Sequence, residues 1–238
     1  DCNGCSASCW WERALLVPSG ETGAVVSAGG GTGTVCLGST FTFELWFRLD
    51  EPLTELYHLA LYQPESFGVG FTRDRFDEYQ VVVVLCGELD PGVSFAMFAV
   101  EQAIAPGDWH HVAVTSRYEG GTGGVYVYAW FDGSRLEEWW PRGGAWRCES
   151  DLHLGYAGVE DWAASFSGAI DDVRISSRNI YPSIRMTPES RLEPTEDTVA
   201  LWTLDHSTAG VVADATGGGR DAELAGGSLV LDQCHGSP

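Results

Sequence analysis

Four aspartates could supply oxygen ligands to a cation. Asp171 and Asp172 are neighbours in the sequence, and Asp205 and Asp214 flank one short loop. Calcium takes about six to eight hard oxygens from carboxylates, backbone carbonyls and water. We therefore predict that these four residues hold a structural calcium ion. The alternative is that Asp171 or Asp172 pairs with Arg174 or caps a turn, while the other carboxylates are solvated.

Tryptophans form the second group of candidate functional residues, since the chain has ten of them. Sugars present flat C–H faces that stack on the rings of Trp and Tyr. We predict ligand-binding roles for four tryptophans that are neighbours or fall in loop-like sequence: Trp139, Trp140, Trp146 and Trp162. The alternative is that these rings fill a large core or cover its edges.

Cysteines form the third group, and their number is typical of an exported protein. The seven are Cys2, Cys5, Cys9, Cys36, Cys86, Cys148 and Cys234. The spacing over residues 2–9 could instead present three thiolates to zinc, with Cys234 or His235 as the fourth ligand. We favour disulfides. Because seven is odd, at least one thiol is then free or paired with another chain, and the sequence does not determine the connectivity.

The charge balance excludes several classes of partner. Thirteen basic residues, all Arg, face 34 acidic ones, which gives a formal net charge of −21. So acidic a surface repels phosphate backbones and anionic membranes, so we expect no nucleic-acid partner. The sequence contains no stretch of about 18 apolar residues, so we expect no membrane insertion. We predict a secreted or cell-surface protein.

The elements that must position these residues are strands. In residues 41–50 (FTFELWFRLD) the apolar residues alternate with Thr42, Glu44, Trp46 and Arg48, a pattern that predicts a strand with one buried side. Similar segments recur along the chain, separated by Gly-rich turns. This spacing predicts an all-β, two-sheet sandwich over residues 12–238, preceded by a Cys-rich segment at 1–11. Residues 180–196 carry three prolines and are predicted to cross over the sandwich irregularly.

Four segments resemble the laminin-G-like, concanavalin-A-like jelly-roll superfamily. They are FTFELWFRLD (41–50), WHHVAVTSRYEGGTGGVYVYAWFDG (109–133), LHLGYAG with FSGAIDDVRISSRNIYP (152–158 and 166–182), and DTVALWTLDHSTAGVVADATGGGRDAEL (197–224). The resemblance implies an antiparallel jelly-roll sandwich and a structural metal near the loop between Asp205 and Asp214. Where the family has Asp-Glu-Gly, this chain has Asp205-His206-Ser207, so one carboxylate is replaced.

The same superfamily includes β-glucanases, whose active strand has three acids in the form ExDxxE. The nearest match here is Glu88-Leu89-Asp90, which lacks the third acid because Pro91, Gly92 and Val93 follow. The serine-hydrolase and zinc-protease motifs GxSxG and HExxH are also absent from the sequence. We therefore predict that the chain is not an enzyme.

Two functions are left open at this point. The first is an extracellular recognition or adhesion module that binds glycans or surface proteins, with possible dependence on calcium. The second is a structural subunit of an extracellular filament or surface assembly, which the odd cysteine and the extra N-terminal segment would suit through self-assembly.

Overall fold

The computed structural model describes residues 12–27, 35–87, 90–119, 124–139, 150–156, 158, 162–181 and 183–232. Within them every regular element is a strand, and no helix is long and apolar enough to cross a membrane. The first of two sheets, sheet A, has the strand order β10-β9-β8-β3-β13-β1-β17, with β14 also paired to β13. Its strands are β1 (Glu12–Val17), β3 (Thr42–Leu49), β8 (Trp109–Glu119), β9 (Gly124–Phe131), β10 (Ser134–Trp139), β13 (Gly168–Ser176), β14 (Thr198–Trp202) and β17 (Ser228–Asp232).

The second sheet, sheet B, has the order β15-β16-β2-β11-β4-β5-β6-β7, and the short β12 also pairs with β4. Its strands are β2 (Ala24–Val26), β4 (Tyr57–Gln63), β5 (Phe67–Arg73), β6 (Tyr79–Gly87), β7 (Asp90–Val100), β11 (Leu152–Leu154), β12 (Ala163–Ala164), β15 (Val211–Val212) and β16 (Ala222–Leu224). All pairings between the named strands are antiparallel except that of β12 with β4. The predicted all-β sandwich is confirmed.

The core lies between the two sheets and is built from alternate residues of each strand. Phe43, Phe47 and Leu45 of β3 point into it, and the Phe47 ring stacks on Phe71 of β5 with centroids 3.8 Å apart. Ile170 of β13 is fully buried in the same core. This two-sheet packing accounts for the period-two pattern of the sequence.

The prediction that β3 has only one buried side is wrong. Thr42, Glu44 and Trp46 belong to the other face of β3 and are also buried, each at most 1% exposed. They are covered by residues 180–196, which cross the outer face of sheet A as predicted. We call this segment the strap. Its polar contacts with sheet A allow polar residues to be buried beneath it.

The two ends of the described chain meet in sheet A. β1 and β17 are antiparallel neighbours, and Glu12 lies opposite Asp232. The segment 197–224, which opens the module in many members of the superfamily, here supplies β14, β15 and β16 near the end of the chain. Because the two ends of the described chain lie side by side, the sandwich is complete with the strands in this order.

Candidate functional site

The strap fastens itself to sheet A through three hydrogen bonds to buried side chains. Nε1 of Trp46 donates to the Glu189 carbonyl at 2.9 Å, and Oγ1 of Thr42 donates to the Arg178 carbonyl at 2.7 Å. Nη1 of Arg174 donates to the Glu193 carbonyl at 2.7 Å. The outer face of sheet A is therefore closed by the protein's own chain.

A charged cluster lies beneath the strap, with Glu44 at its centre. Nε of Arg174 donates to Oε1 of Glu44 at 2.8 Å, Nε2 of His111 lies 3.1 Å from Oε2, and the Tyr181 hydroxyl also donates to Oε2. Burial acts to raise the pKa of Glu44, but the hydrogen bond and charge of His111 and the charge of Arg174 outweigh it and the pKa is lowered. Burial and the neighbouring carboxylate raise the pKa of the Tyr181 hydroxyl. Both carboxylate oxygens are engaged, so this cluster holds the strap in place and presents no open site.

The predicted calcium ligands are not brought together as four free carboxylates. Asp214 is buried, and its Oδ1 accepts from the backbone N of Leu201 and from both the N and Oγ1 of Thr216. Asp205 forms an ion pair with Arg191. Within the described ranges, no three His, Cys, Asp or Glu residues are placed to hold one metal ion. Asp214 is therefore a turn-capping residue, as the alternative interpretation of these carboxylates expected.

Asp171 and Asp172 form a buried carboxyl pair, 3% and 2% exposed. Oδ2 of Asp172 accepts from the backbone N of Leu192 at 2.7 Å, so this pair faces the strap. Burial and the charge of Asp171 raise the pKa of Asp172 to about 8, against the opposing effect of the Leu192 hydrogen bond. Neither residue is the partner of Arg174, which binds Glu44 instead.

The four predicted ligand-binding tryptophans have different outcomes. Trp139 lies in β10 opposite Val127. Trp140 and Trp146 lie outside the described residues. Trp162 is half-buried on the outer face of sheet B, where it belongs to an aromatic cluster.

The aromatic patch, as we call this cluster, consists of Tyr57, Tyr62, Phe95, Tyr156 and Trp162. The Trp162 ring lies edge-on to Phe95 at 5.1 Å and to Tyr62 at 5.9 Å, and it lies 6.1 Å from Tyr57. Tyr62 and Tyr156 are 4.9 Å apart in a T-shaped arrangement. Such edge-to-face contacts are favourable for aromatic rings and fix their orientation before any ligand arrives.

Strand pairing and a close backbone approach place the patch. β12 runs beside the start of β4, with Ala163 opposite Tyr57, and the Tyr57 N donates to the Trp162 carbonyl at 3.3 Å. The Tyr62 ring lies against Gly68 of β5, where a Cβ atom would stand 2.9 Å from Cδ2 of the ring. A larger residue at position 68 would lift this ring off the sheet.

The patch is covered only in part by the described chain. Tyr57, Phe95 and Trp162 are each partly exposed, and Met97 beside them is 51% exposed. The Tyr57 hydroxyl lies 3.7 Å from the Met97 sulfur. Sequence reasoning missed Tyr57, Phe95 and Met97, although β7 alternates Phe95 and Met97 with buried Ala96 and Phe98. Large apolar residues on both faces of an edge strand are the signal that could have found them.

The cysteine predictions are tested at one position. Cys36 is disulfide-bonded. The backbone of Cys86 lies in β6 opposite Val93. The other five predicted disulfide candidates, Cys2, Cys5, Cys9, Cys148 and Cys234, lie outside the described residues, so the connectivity stays a prediction.

Two facing antiparallel sheets, one closed by a strap and the other bearing an aromatic patch, define a jelly-roll domain with one available face. The laminin G-type model of the Concanavalin A-like lectin/glucanases superfamily matches residues 19–183, and the chain belongs to this superfamily. The resemblance inferred from the four sequence segments is thereby confirmed. No curated protein sequence matches the chain.

Three solved structures are similar to the chain. One is a protein from Bacteroides ovatus ATCC 8483, described as a candidate carbohydrate binding protein, with 16% identity over 95% of this chain and 61% of that one, and a TM-score of 0.64. A heptameric pentraxin from Limulus polyphemus has 11% identity over 71% of this chain and 78% of its own, with a TM-score of 0.54. The carbohydrate-binding module CBM40 of a Ruminococcus gnavus sialidase, bound to α2,3-sialyllactose, has 9% identity over 73% of this chain and 94% of its own, with a TM-score of 0.51.

At these identities the similarity shows a shared fold and does not transfer a ligand. The chain spans about three fifths of the length of the Bacteroides protein. Function must therefore be argued from the residues of this chain.

Proposed function

We propose that this chain is a non-catalytic, extracellular recognition module that binds glycans through the aromatic patch on the outer face of sheet B. The observation that carries the proposal is the partial exposure of Trp162, Tyr57 and Phe95 beside Met97. Three of these side chains are aromatic and pre-oriented by mutual contacts. The opposite face of the sandwich is closed by the strap, so sheet B offers the available platform.

The chemistry of the patch suits a pyranose ring. The C–H face of a sugar packs on an aromatic ring, while hydroxyls of the sugar meet polar groups at its margin. The Tyr57 hydroxyl supplies one such group next to the exposed thioether of Met97. A thioether is soft and adaptable, so it can follow the contour of different sugars.

The absence of catalysis is part of the proposal. Hydrolysis of a glycosidic bond uses two carboxyl groups that flank the bond. The carboxyls of Asp171, Asp172 and Glu44 are buried between sheet A and the strap, on the opposite side of the sandwich from the patch. Glu88, the first residue of the nearest glucanase-like match, lies outside the described residues.

An extracellular location is also proposed, and two observations support it. Cys36 is disulfide-bonded, and disulfides persist mainly in oxidising compartments. The net charge of −21 favours solubility and low non-specific association outside the cell.

A glycan array followed by calorimetric titration of the best-bound oligosaccharide tests the recognition role. We expect Trp162→Ala and Met97→Ala to weaken binding about tenfold or more, which corresponds to about 1.4 kcal/mol. The matched control is Phe76→Ala, because Phe76 is an aromatic residue that is 69% exposed and lies outside the patch. The proposal fails if no glycan binds, or if the Phe76 variant loses as much affinity as the patch variants.

Trp162 also supports the packing of its neighbours, so its replacement needs a second variant. Trp162→Phe keeps a ring at this position while reducing the stacking area. We expect it to melt close to the wild type and to bind with intermediate affinity. Met97→Ala changes a side chain at the surface and separates loss of contact from loss of fold.

Calcium is carried as a separate, structural proposal. Asp171 and Asp172 place two carboxyls side by side, and an ion there would need further oxygens from backbone carbonyls and water. Thermal unfolding in millimolar calcium and in EDTA tests this. A higher midpoint with calcium that Asp172→Asn abolishes would support it, and identical midpoints would contradict it.

A further inference from the structure

A groove of about 910 Å³ lies where the open edges of the two sheets approach each other. Its walls come from the end of β7, from the β9–β10 hairpin and from the strap at residues 183–185. The strap is fixed here by backbone pairing, since Ser134 bridges to Arg185 and the Met186 N donates to the Gly133 carbonyl at 3.0 Å. The groove is thus a built feature of the fold, distinct from the aromatic patch.

Two arginines, Arg135 and Arg185, line this groove, and neither forms an ion pair within the described chain. Six other arginines of the described residues do pair with an acid: Arg48, Arg73, Arg174, Arg178, Arg191 and Arg220. In a chain with a net charge of −21, two unpaired guanidinium groups beside one concavity leave positive charge available to a ligand. The Arg135 guanidinium lies 5.1 Å from the centre of the Tyr128 ring, a contact that holds it beside the groove.

The acids of the groove do not neutralise these arginines. Oδ1 of Asp132 accepts from the His111 N at 2.8 Å, while Oδ2 lies 2.8 Å from Nδ1 of His110 and accepts from Gln102. Glu101 is exposed and is the acid left to accept a hydrogen bond from a ligand hydroxyl. Ile184, which is 67% exposed, adds an apolar surface. The groove therefore combines anion-binding, hydroxyl-binding and apolar groups, as an acidic sugar requires.

Strand β7 connects the groove to the aromatic patch. Phe95, Met97 and Ala99 alternate on the outer face of β7, and Ala99 is itself a wall of the groove. Phe95 and Ala99 are separated by about 13 Å along the strand, at about 3.3 Å per residue. One extended oligosaccharide can therefore touch both regions.

The geometry points to an acidic glycan as the ligand class, with a uronate carboxylate or a sulfate in the groove and a neighbouring sugar on the aromatic patch. This inference rests on the proposed glycan-binding function and adds the charge of the ligand to it. Arg185 and Arg135 bind the acidic group, because guanidinium groups form charge-assisted, often bidentate hydrogen bonds with carboxylates and sulfates.

The test compares matched pairs of polysaccharides that differ only in charge. Polygalacturonate is compared with its methyl ester, and chondroitin sulfate with unsulfated chondroitin, while laminarin and galactan serve as neutral probes. The protein variants are Arg185→Gln and Arg135→Gln. The control is Arg75→Gln, because Arg75 is also exposed and rests on an aromatic ring, at 4.8 Å from Phe76, but lies away from the groove.

We expect an acidic member to bind at least about tenfold more tightly than its neutral counterpart, and each groove variant to remove about tenfold. The pectin pair and the chondroitin pair distinguish carboxylate from sulfate recognition. Equal binding of charged and neutral members, or affinity unchanged in both groove variants, overturns this inference and leaves the proposed function standing. Absence of binding to every probe overturns both. Loss of affinity in the Arg75 variant as well would show a diffuse charge effect and also contradict the assignment.

Discussion

Arg174 and Glu44 form a buried ion pair, with Nε of the arginine 2.8 Å from Oε1 of the glutamate. The two side chains are 3% and 0% exposed, and the strap covers both. They lie on neighbouring strands, β13 and β3, where they are direct partners in the sheet register. The pair therefore links the central strands of sheet A to the segment that closes its outer face.

Breaking this pair should destabilise the fold strongly. Glu44→Gln leaves the buried Arg174 guanidinium without its counter-charge, and such changes cost about 3–5 kcal/mol. The exposed pair between Arg73 and Asp77 provides the control, since Asp77→Asn should cost less than about 1 kcal/mol. Urea unfolding measures both values. A loss below about 1 kcal/mol for Glu44→Gln would show that the cluster does not fasten the strap.

The same pair predicts a pH dependence. The pKa of Glu44 is lowered in the folded protein from its ordinary value of 4.5, so the folded state favours the carboxylate. Its contribution to the free energy of unfolding is complete above about pH 4.5 and is lost as the pH falls through the folded value. The difference in stability between wild type and Glu44→Gln should therefore shrink below pH 4.5. A difference that stays constant to pH 3 would contradict this assignment.

The sequence predicts most of this fold because long strands carry a clear period of two. β3, β8 and β13 follow their predicted spans to within two residues, and Val112 and Val114 of β8 point inward as expected. The short strands β2, β12, β15 and β16 were not predicted, since two or three residues carry no periodicity. The resemblance supplied the jelly-roll topology, which local patterns do not encode.

The candidate site was predictable only in part, because its members come together through long-range packing. Trp162 was predicted from its residue type, but Tyr57 and Phe95 reach it from strands far away in sequence. The burial of Glu44 was missed for the same reason, since the strap that covers it lies more than 130 residues further along the chain. Alternation within a strand shows which face a residue belongs to, but it does not show what later covers that face.

Gly168 should tolerate no side chain. It opens β13 opposite Leu49, and a Cβ atom there would stand 2.0 Å from the Arg48 carbonyl oxygen. Gly168→Ala must therefore move the backbone of β3 or β13, and we expect a loss of at least about 2 kcal/mol in thermal or urea unfolding. A variant that unfolds like the wild type would show that the two strands are further apart than described.

The cysteines distinguish the recognition module from the structural subunit. Because Cys36 is disulfide-bonded and the total is seven, a monomer must carry an odd number of free thiols. Alkylation under native conditions followed by mass spectrometry should label an odd number of cysteines, and should label Cys36 only after reduction. Covalent multimers on a non-reducing gel that reductant dissolves would instead favour the self-assembling subunit.

The account depends most on the outer face of sheet B being the binding face. A crystal structure with the best-bound oligosaccharide from the array tests this directly. The predicted result is a sugar ring packed on Trp162 and Met97, with the chain of sugars running along β7. Density for the sugar over the strap on sheet A, with the aromatic patch left bare, would contradict it.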